Sequence, residues 1–258
     1  MTTPRGAGAP RGRDPVNPWH ALLLRPVRAG DGIASDQFLT GVEPEFVKQI
    51  GDAGRTQVLA AGEVLYREGD PAADLAVVGQ GAVTLSMRTG PDRAVPIAVL
   101  GPSSIFGSTA LLGGGGVRDA TATAAVRTVV SLYDAQLVTR LLDEHPKASA
   151  AVRGALVHQV LELSARVVES LHLPAPDLIR RRLVALAAAH PGGRVPITQQ
   201  QLAELTGTSR ATVNALLARE VRDGHVVVHR AAIEILDVAG LAGQKAGQKA
   251  SRVVPESS

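Results

Sequence analysis

One stretch limits this chain more than any other. From Pro146 to His172 apolar side chains recur every three or four positions: Val152, Leu156, Val160, Leu163, Val167 and Leu171. Arg153, Glu162, Arg166 and Glu169 fall largely off that stripe. Twenty-seven residues in one helix span roughly 40 Å at 1.5 Å per residue. A rod of that length with a narrow apolar seam usually pairs with a copy of itself. Packing on its own domain is the alternative. Pro174 and Pro176 interrupt the helix.

The rod divides the chain. On its amino-terminal side, from Gln57 to Tyr133, short apolar runs alternate with Gly, Pro and Asp turns. Leu75–Val78, Val83–Met87, Ile97–Leu100 and Val126–Leu132 predict strands of a sandwich or barrel. On its carboxy-terminal side shorter helical segments follow. The expected fold class is α+β, in five parts. These are a disordered basic tail (1–30), a β-rich domain (31–145), the rod (146–173), a helical domain (174–237) and a flexible tail (238–258). In residues 1–30 five arginines face one aspartate. The segment buries little, and reads as a solvated tail or one that touches an acidic surface such as DNA. A tandem AGQK repeat at 242–249 marks the other tail.

Composition removes several function classes. The chain has no cysteine, which excludes disulfides, thiolate zinc sites and cysteine-held iron–sulfur clusters. Only six residues are aromatic, too few for a base-stacking platform on single strands. No apolar run is long enough to span a bilayer and no secretory signal opens the chain, so a cytoplasmic protein with no membrane partner is expected. No paired carboxylates, nucleophile–base pair or metal-ligand spacing stands out. An enzyme is therefore not expected, and neither is a metal. Ser131 and His190 read as structural.

The most specific local signal runs from Ile197 to Leu217. Thr198 can cap a helix that buries Leu202, Ala203 and Leu205. Gly207 supplies a tight turn. Thr208 or Ser209 can cap a second helix that buries Val213 and Leu216 or Leu217. Its outer face presents Ser209, Arg210, Thr212 and Asn214. This is the register of a helix-turn-helix, and strands at 225–228 and 233–236 would form a wing around His229–Ala232. Arg210 is the only long donor at the start of the second helix and suits guanine O6/N7. Asn214, one turn on, suits adenine or a phosphate. Ser209, Thr212, Gln199, Gln200, Thr198 and Arg230 complete the candidate DNA contacts. Residues 177–237 carry eight arginines against six acids, a weak charge for a DNA module, so affinity should depend on dimerisation. The alternative is a protein-interaction module that uses the same helical hairpin.

With these pieces in place the chain resembles the Crp/Fnr family of transcription regulators, the cyclic-AMP receptor type, over residues 36–237. Three segments carry the match. The first is Ala61–Leu75 with Val77–Val83, similar to the family's turn and strand pair. The second is Phe106–Leu112 with Val117–Ala122, similar to its phosphate-binding cassette. The third is the 197–217 reader. The resemblance implies a β-roll sensor, a dimerisation helix and a winged helix-turn-helix. It also implies a homodimer on palindromic double-stranded DNA with half-sites about one helical turn apart, and RNA polymerase as a further partner.

The cassette departs from the family pattern. Its candidate pocket residues are Phe106, Gly107, Ser108, Arg118, Asp119 and Thr121. Arg118 stands where the phosphate-neutralising arginine belongs. Ser108 replaces the acid that holds the ribose, and Asp119 replaces a small hydroxyl residue. A carboxylate about 4 Å from a phosphate costs about 4 kcal/mol at an effective dielectric near 20. Thr121 returns about 1 kcal/mol through a neutral hydrogen bond. Two orientations are open to Asp119: pairing with Arg118, or pointing elsewhere, which would soften its opposition to a phosphate. The loop Gly113–Gly116 would cost entropy to order. Near the expected adenine contacts the rod offers Val167 and Val168, with hydroxyls shifted to Ser164 or Ser170. The expectation is that cyclic AMP binds weakly or not at all. The effector expected instead is another nucleotide-type or small molecule, or none, and no cofactor is assigned. Haem ligation by His145, His158 or His172 is disfavoured. In the reader, Ala211 and Ala215 replace an acid and an arginine. Glu220 stands where the family buries an apolar residue.

Overall fold

The computed structural model describes residues 43–112 and 116–243. The expectations placed on the amino-terminal tail, on most of the Gly113–Gly116 loop and on the AGQK repeat beyond Gly243 lie outside the described residues. So do the side chains of His158 and Glu162.

Two four-stranded antiparallel sheets form the first body. One has the order β1 (Arg55–Leu59), β8 (Thr128–Asp134), β3 (Asp74–Gln80), β6 (Ile105–Phe106). The other has the order β2 (Val64–Tyr66), β7 (Thr121–Ala124), β4 (Val83–Gly90), β5 (Arg93–Leu100). The period of two along β3 divides its side chains between two cores. Ala76 and Val78 join Leu59, Val83, Phe106, Ala122, Val130 and Leu132 between the sheets. Leu75 and Val77 turn the other way, onto Phe46 and Ile50 of α1 (Pro44–Ala53) and Val138 and Leu141 of α2 (Ala135–Glu144). This second core explains why β3 is buried along nearly its whole length.

The rod, α3, runs from Pro146 to His172, the expected bounds. Its first turn is held by a distant acid. Glu43 accepts from the backbone N–H groups of Lys147 at 2.9 Å and Ala148 at 3.2 Å, two donors that a helix start leaves unpaired. Only the amino-terminal turns pack on the first body, through Ala148 and Ala151. Beyond them Leu156, Val157, Val160, Leu161, Leu163, Val167, Val168 and Leu171 are all exposed, Leu171 at 72 %. The apolar face is thus a broad band rather than the narrow seam expected, and it does not pack on its own domain.

After Leu173, α4 (Ala175–Ala189) opens the second body. Its Ile179, Leu183 and Leu186 form a core with Val195, Ile197, Leu202, Ala203, Val213, Leu216, Leu217, Val226, Ile233 and Ile235. The expected wing strands are β10 (Val226–Val228) and β11 (Ile233–Ile235), and the short β9 (Arg194–Val195) adds a third. Val238–Leu241 form a further helix, α7, whose Leu241 is 1 % exposed in this core. The expectation of a flexible tail beginning at Val238 is corrected there. The two bodies touch closely. Val99 of β5, 4 % exposed, is part of the second core. A Cβ added at Gly101 would lie 1.7 Å from the Ala189 carbonyl oxygen, so any other residue there would push the bodies apart.

Candidate nucleic-acid interface and ligand cassette

The reader is built from local hydrogen bonds. Thr198 and Gln201 form a reciprocal capping box on α5 (Gln199–Thr206): the Thr198 hydroxyl accepts from the Gln201 N–H at 3.1 Å, and the Gln201 side chain accepts from the Thr198 N–H at 2.9 Å. Gly207 takes the left-handed conformation, φ 65°, and turns the chain. Of the two cap candidates for α6 (Arg210–Arg222), Ser209 fills the position, accepting from the Thr212 N–H at 3.1 Å. Thr208 instead shares a hydrogen bond with the buried Thr206 hydroxyl at 2.9 Å. Val213, Leu216 and Leu217 are buried, as expected.

The outer face follows from this register. Arg210 and Asn214 are exposed, one helical turn apart. Arg210 has no hydrogen bond or ion pair among the described residues. The Ser209 and Thr212 hydroxyls are bonded to each other at 2.8 Å. Each hydroxyl carries one proton, so the pair keeps one donor for an outside acceptor. Gln200 donates to Glu204 at 2.8 Å. Thr198 is half-buried and occupied by its cap. Arg230 is exposed at the wing turn and lines a cleft of about 530 Å³ with Arg194, His190 and the sheet-body residues Gly81 and Pro102.

At Glu220, where an apolar residue is the family pattern, the structure holds a buried and fully engaged carboxylate. It is 2 % exposed and accepts from Arg180 at 2.8 Å, with His225 at 2.7 Å on its other oxygen. Arg180 lies 40 positions away, so no local pattern pairs the two. Glu220, Asp223 and His225 bring ligand-type atoms within 4.8 Å of one another, but the Arg180 guanidinium already lies 2.8 Å from the Glu220 carboxylate, and its fixed positive charge opposes a second cation there.

The cassette has a different character. Phe106 is buried, Gly107 has φ 80°, and Ser108–Leu112 form a 3-10 turn with Ser108 exposed. Arg118 is 5 % exposed. Its Nη1 donates to the Asp74 carbonyl at 2.7 Å and the Gly107 carbonyl at 3.4 Å, and its Cζ lies 4.1 Å from the Tyr66 ring centroid. Its Nε is buried without a partner among the described residues. A Cβ at Gly107 would sit 2.7 Å from Nη1, so the glycine makes room for the guanidinium. Burial pushes the Tyr66 phenol up to about 12, with Arg118 pulling it down and Asp119 pushing it up. Asp119 is exposed and no ion pair joins it to Arg118, so of the two orientations it takes the one that points elsewhere. Thr121 accepts from the Glu68 N–H at 3.0 Å. On the rod, the Ser164 and Ser170 hydroxyls donate to the Val160 and Val167 carbonyls of their own helix. His145 packs edge-on to Phe46, with ring centroids 5.6 Å apart.

Sandwich, rod and winged reader define a helix-turn-helix transcription regulator with a cyclic-nucleotide-binding-type domain. Residues 56–145 match the cyclic nucleotide-binding domain, and residues 179–243 match the Crp-like helix-turn-helix domain. The chain belongs to the Crp/Fnr family, whose members are transcription regulators rather than enzymes. It is 23 % identical over 209 residues to the CRP-like cAMP-activated global transcriptional regulator of Mycobacterium tuberculosis, covering 78 % of this chain and 93 % of that one. It is 26 % identical over 202 residues to the cyclic AMP receptor protein of Thermus thermophilus, covering 77 % and 92 %. The structure of FixK2 from Bradyrhizobium japonicum shares the fold at 16 % identity, with a TM-score of 0.64 over 76 % of this chain and 99 % of that one. Among the described residues no helix is long and apolar enough to cross a membrane.

Proposed function

We propose that this chain regulates transcription in the cytoplasm as a homodimer on a palindromic duplex site, and that cyclic AMP is not its effector. The observation that carries the DNA assignment is Arg210, exposed and without a partner among the described residues on the first turn of α6, with Asn214 one turn behind. Arg210 reads guanine, Asn214 reads adenine or a phosphate, and Ser209, Thr212, Gln199, Gln200 and Arg230 hold the backbone. In this reading the sensor extends to residue 145, the rod from 146 to 173 joins the protomers, and the reader begins at 174.

Dimerisation is supported by the eight exposed apolar side chains of α3. Leaving such a band in water forgoes on the order of 10 kcal/mol, at about 1.5–3 kcal/mol per fully buried side chain. That is comparable to the whole net stability of a domain. Silence toward cyclic AMP is supported by Arg118, whose Nη1 is held by the Asp74 and Gly107 carbonyls and whose face is stacked on Tyr66. A phosphate taken up at Nη1 would have to displace those carbonyl contacts.

Selection from a random duplex pool should recover a palindrome whose half-sites lie about one turn apart. Sedimentation should give twice the protomer mass, and titration calorimetry with cyclic AMP should show no low-micromolar heat. A protein that sediments as a protomer and prefers no duplex would support the protein-interaction alternative instead. Contact with RNA polymerase, read by footprinting at the selected site, would extend the proposal.

A further inference from the structure

We infer that Glu220 is a positioning residue for DNA reading: it sets the rotation of α6 and the seat of the wing, and so aims Arg210 and Asn214. This rests on the reader proposed above. One carboxylate is shared by three elements. Arg180 of α4 donates to one oxygen at 2.8 Å, and its Nη1 also holds Asp177 at 3.2 Å. His225, at the entry to β10, holds the other oxygen at 2.7 Å. The backbone repeats the tie, since the His225 N–H donates to the Glu220 carbonyl at 2.9 Å and the His225 carbonyl accepts from Leu236 at 2.8 Å.

Burying a carboxylate is costly, and an apolar side chain of similar volume is often as stable or more so. Stability alone therefore does not account for the arrangement. Direction does. The apolar inner face of α6 is Val213, Leu216 and Leu217; packing there fixes the helix within a spread of roughly 15–20°, and the hydrophobic attraction itself is non-directional. Hydrogen bonds to a charged group weaken steeply when misaligned. A 20° turn of a helix moves atoms at its outer radius by roughly 2 Å, enough to lose a two-pronged base contact.

The test compares wild type with the triple variant Arg180→Met, Glu220→Leu, His225→Leu, which replaces the buried network with apolar volume, and with Glu220→Gln, which keeps an acceptor for Arg180. Each dimer is titrated with its selected duplex and with a random duplex. The triple variant is expected to melt no lower than wild type and to bind random duplex within about twofold. Its affinity for the selected site should fall by about tenfold or more, and Glu220→Gln should recover most of that. A triple variant that keeps the wild-type ratio of selected to random affinity overturns the inference and leaves the reader intact. Should the triple variant not fold, His225→Phe, which cuts only the wing arm, decides in the same way: an unchanged ratio overturns it. Wild-type protein that prefers no duplex overturns both the reader and the inference.

Discussion

Arg118 in the cassette and Arg210 at the start of α6 invite the same assignment, an arginine placed to meet a nucleotide. The fold treats them in opposite ways. Arg118 is 5 % exposed, donates to the carbonyls of Asp74 and Gly107, and stacks on Tyr66. Arg210 is exposed and has no hydrogen bond or ion pair among the described residues. The first guanidinium is a structural strut that joins β3, the cassette turn and β2. The second is a free donor on a capped helix. A motif residue shows that a charge is present, and only its partners show whether that charge is available to a ligand.

This contrast can be broken experimentally. The largest effect is expected at Arg210. Arg210→Ala should cost about 1–3 kcal/mol of discrimination between selected and random duplex, with a much smaller loss of general affinity. Gel-shift titrations on the two duplexes read the difference, and equal losses on both would show Arg210 to be a phosphate contact only. At Arg118 the expected effect falls on stability. Arg118→Ala removes a buried guanidinium and leaves the half-buried Asp74 carbonyl short of its donor, a loss of about 1 kcal/mol or more in urea unfolding. Binding to the selected duplex at a temperature where the variant is folded should be unchanged. An Arg118→Ala protein of wild-type stability that loses DNA binding would show that the guanidinium transmits a ligand signal after all.

The smallest effect concerns a second buried base, His190, which lies at the contact between the bodies. Burial holds its imidazole below the ordinary histidine range, and its contact with the Leu186 carbonyl opposes that only in part. In the unfolded chain His190 takes a proton as the pH falls through about 6.5, while the folded chain takes it only at lower pH. Between those two points the unfolded state binds more protons, so stability declines as the pH drops below about 6.5 and levels off beneath the folded value. Urea unfolding of wild type and His190→Gln at about pH 7.5 and about pH 5.5 checks this. The variant should lose part of the decline, and an identical decline in both proteins would remove His190 as its source.

The features legible in the sequence were those that neighbours decide. The rod's bounds, the Thr198 cap, the Gly207 turn and the β3 and β4 strands follow from residues within a few positions of one another. The helices at Pro44–Ala53 and Ala135–Glu144 are not legible in the same way. The second follows a strand directly, with Asp134 both ending β8 and capping the helix through the Leu137 N–H. Its buried face is only Ala135, Val138 and Leu141, too short a repeat to stand out. β9 has two residues, below any periodic signal. In the candidate sites, the outward placement of Arg210 and Asn214 was readable because a helix's own period sets its faces. The engagement of Arg118 was not, because its partners come from 44 and 11 positions away.

The order of residues alone therefore determined that this chain would hold a β-rich body, a long apolar-faced rod and a capped helical hairpin, since backbone preferences, caps and side-chain period act over one or two turns. Tertiary structure decided which charges are spent and which are free: Arg118 turned inward, Glu220 bound between Arg180 and His225, and Val99 lent to the core of the other body. Such choices depend on groups that meet only when distant segments pack and water leaves, and burial then fixes the cost of every unpaired donor or charge.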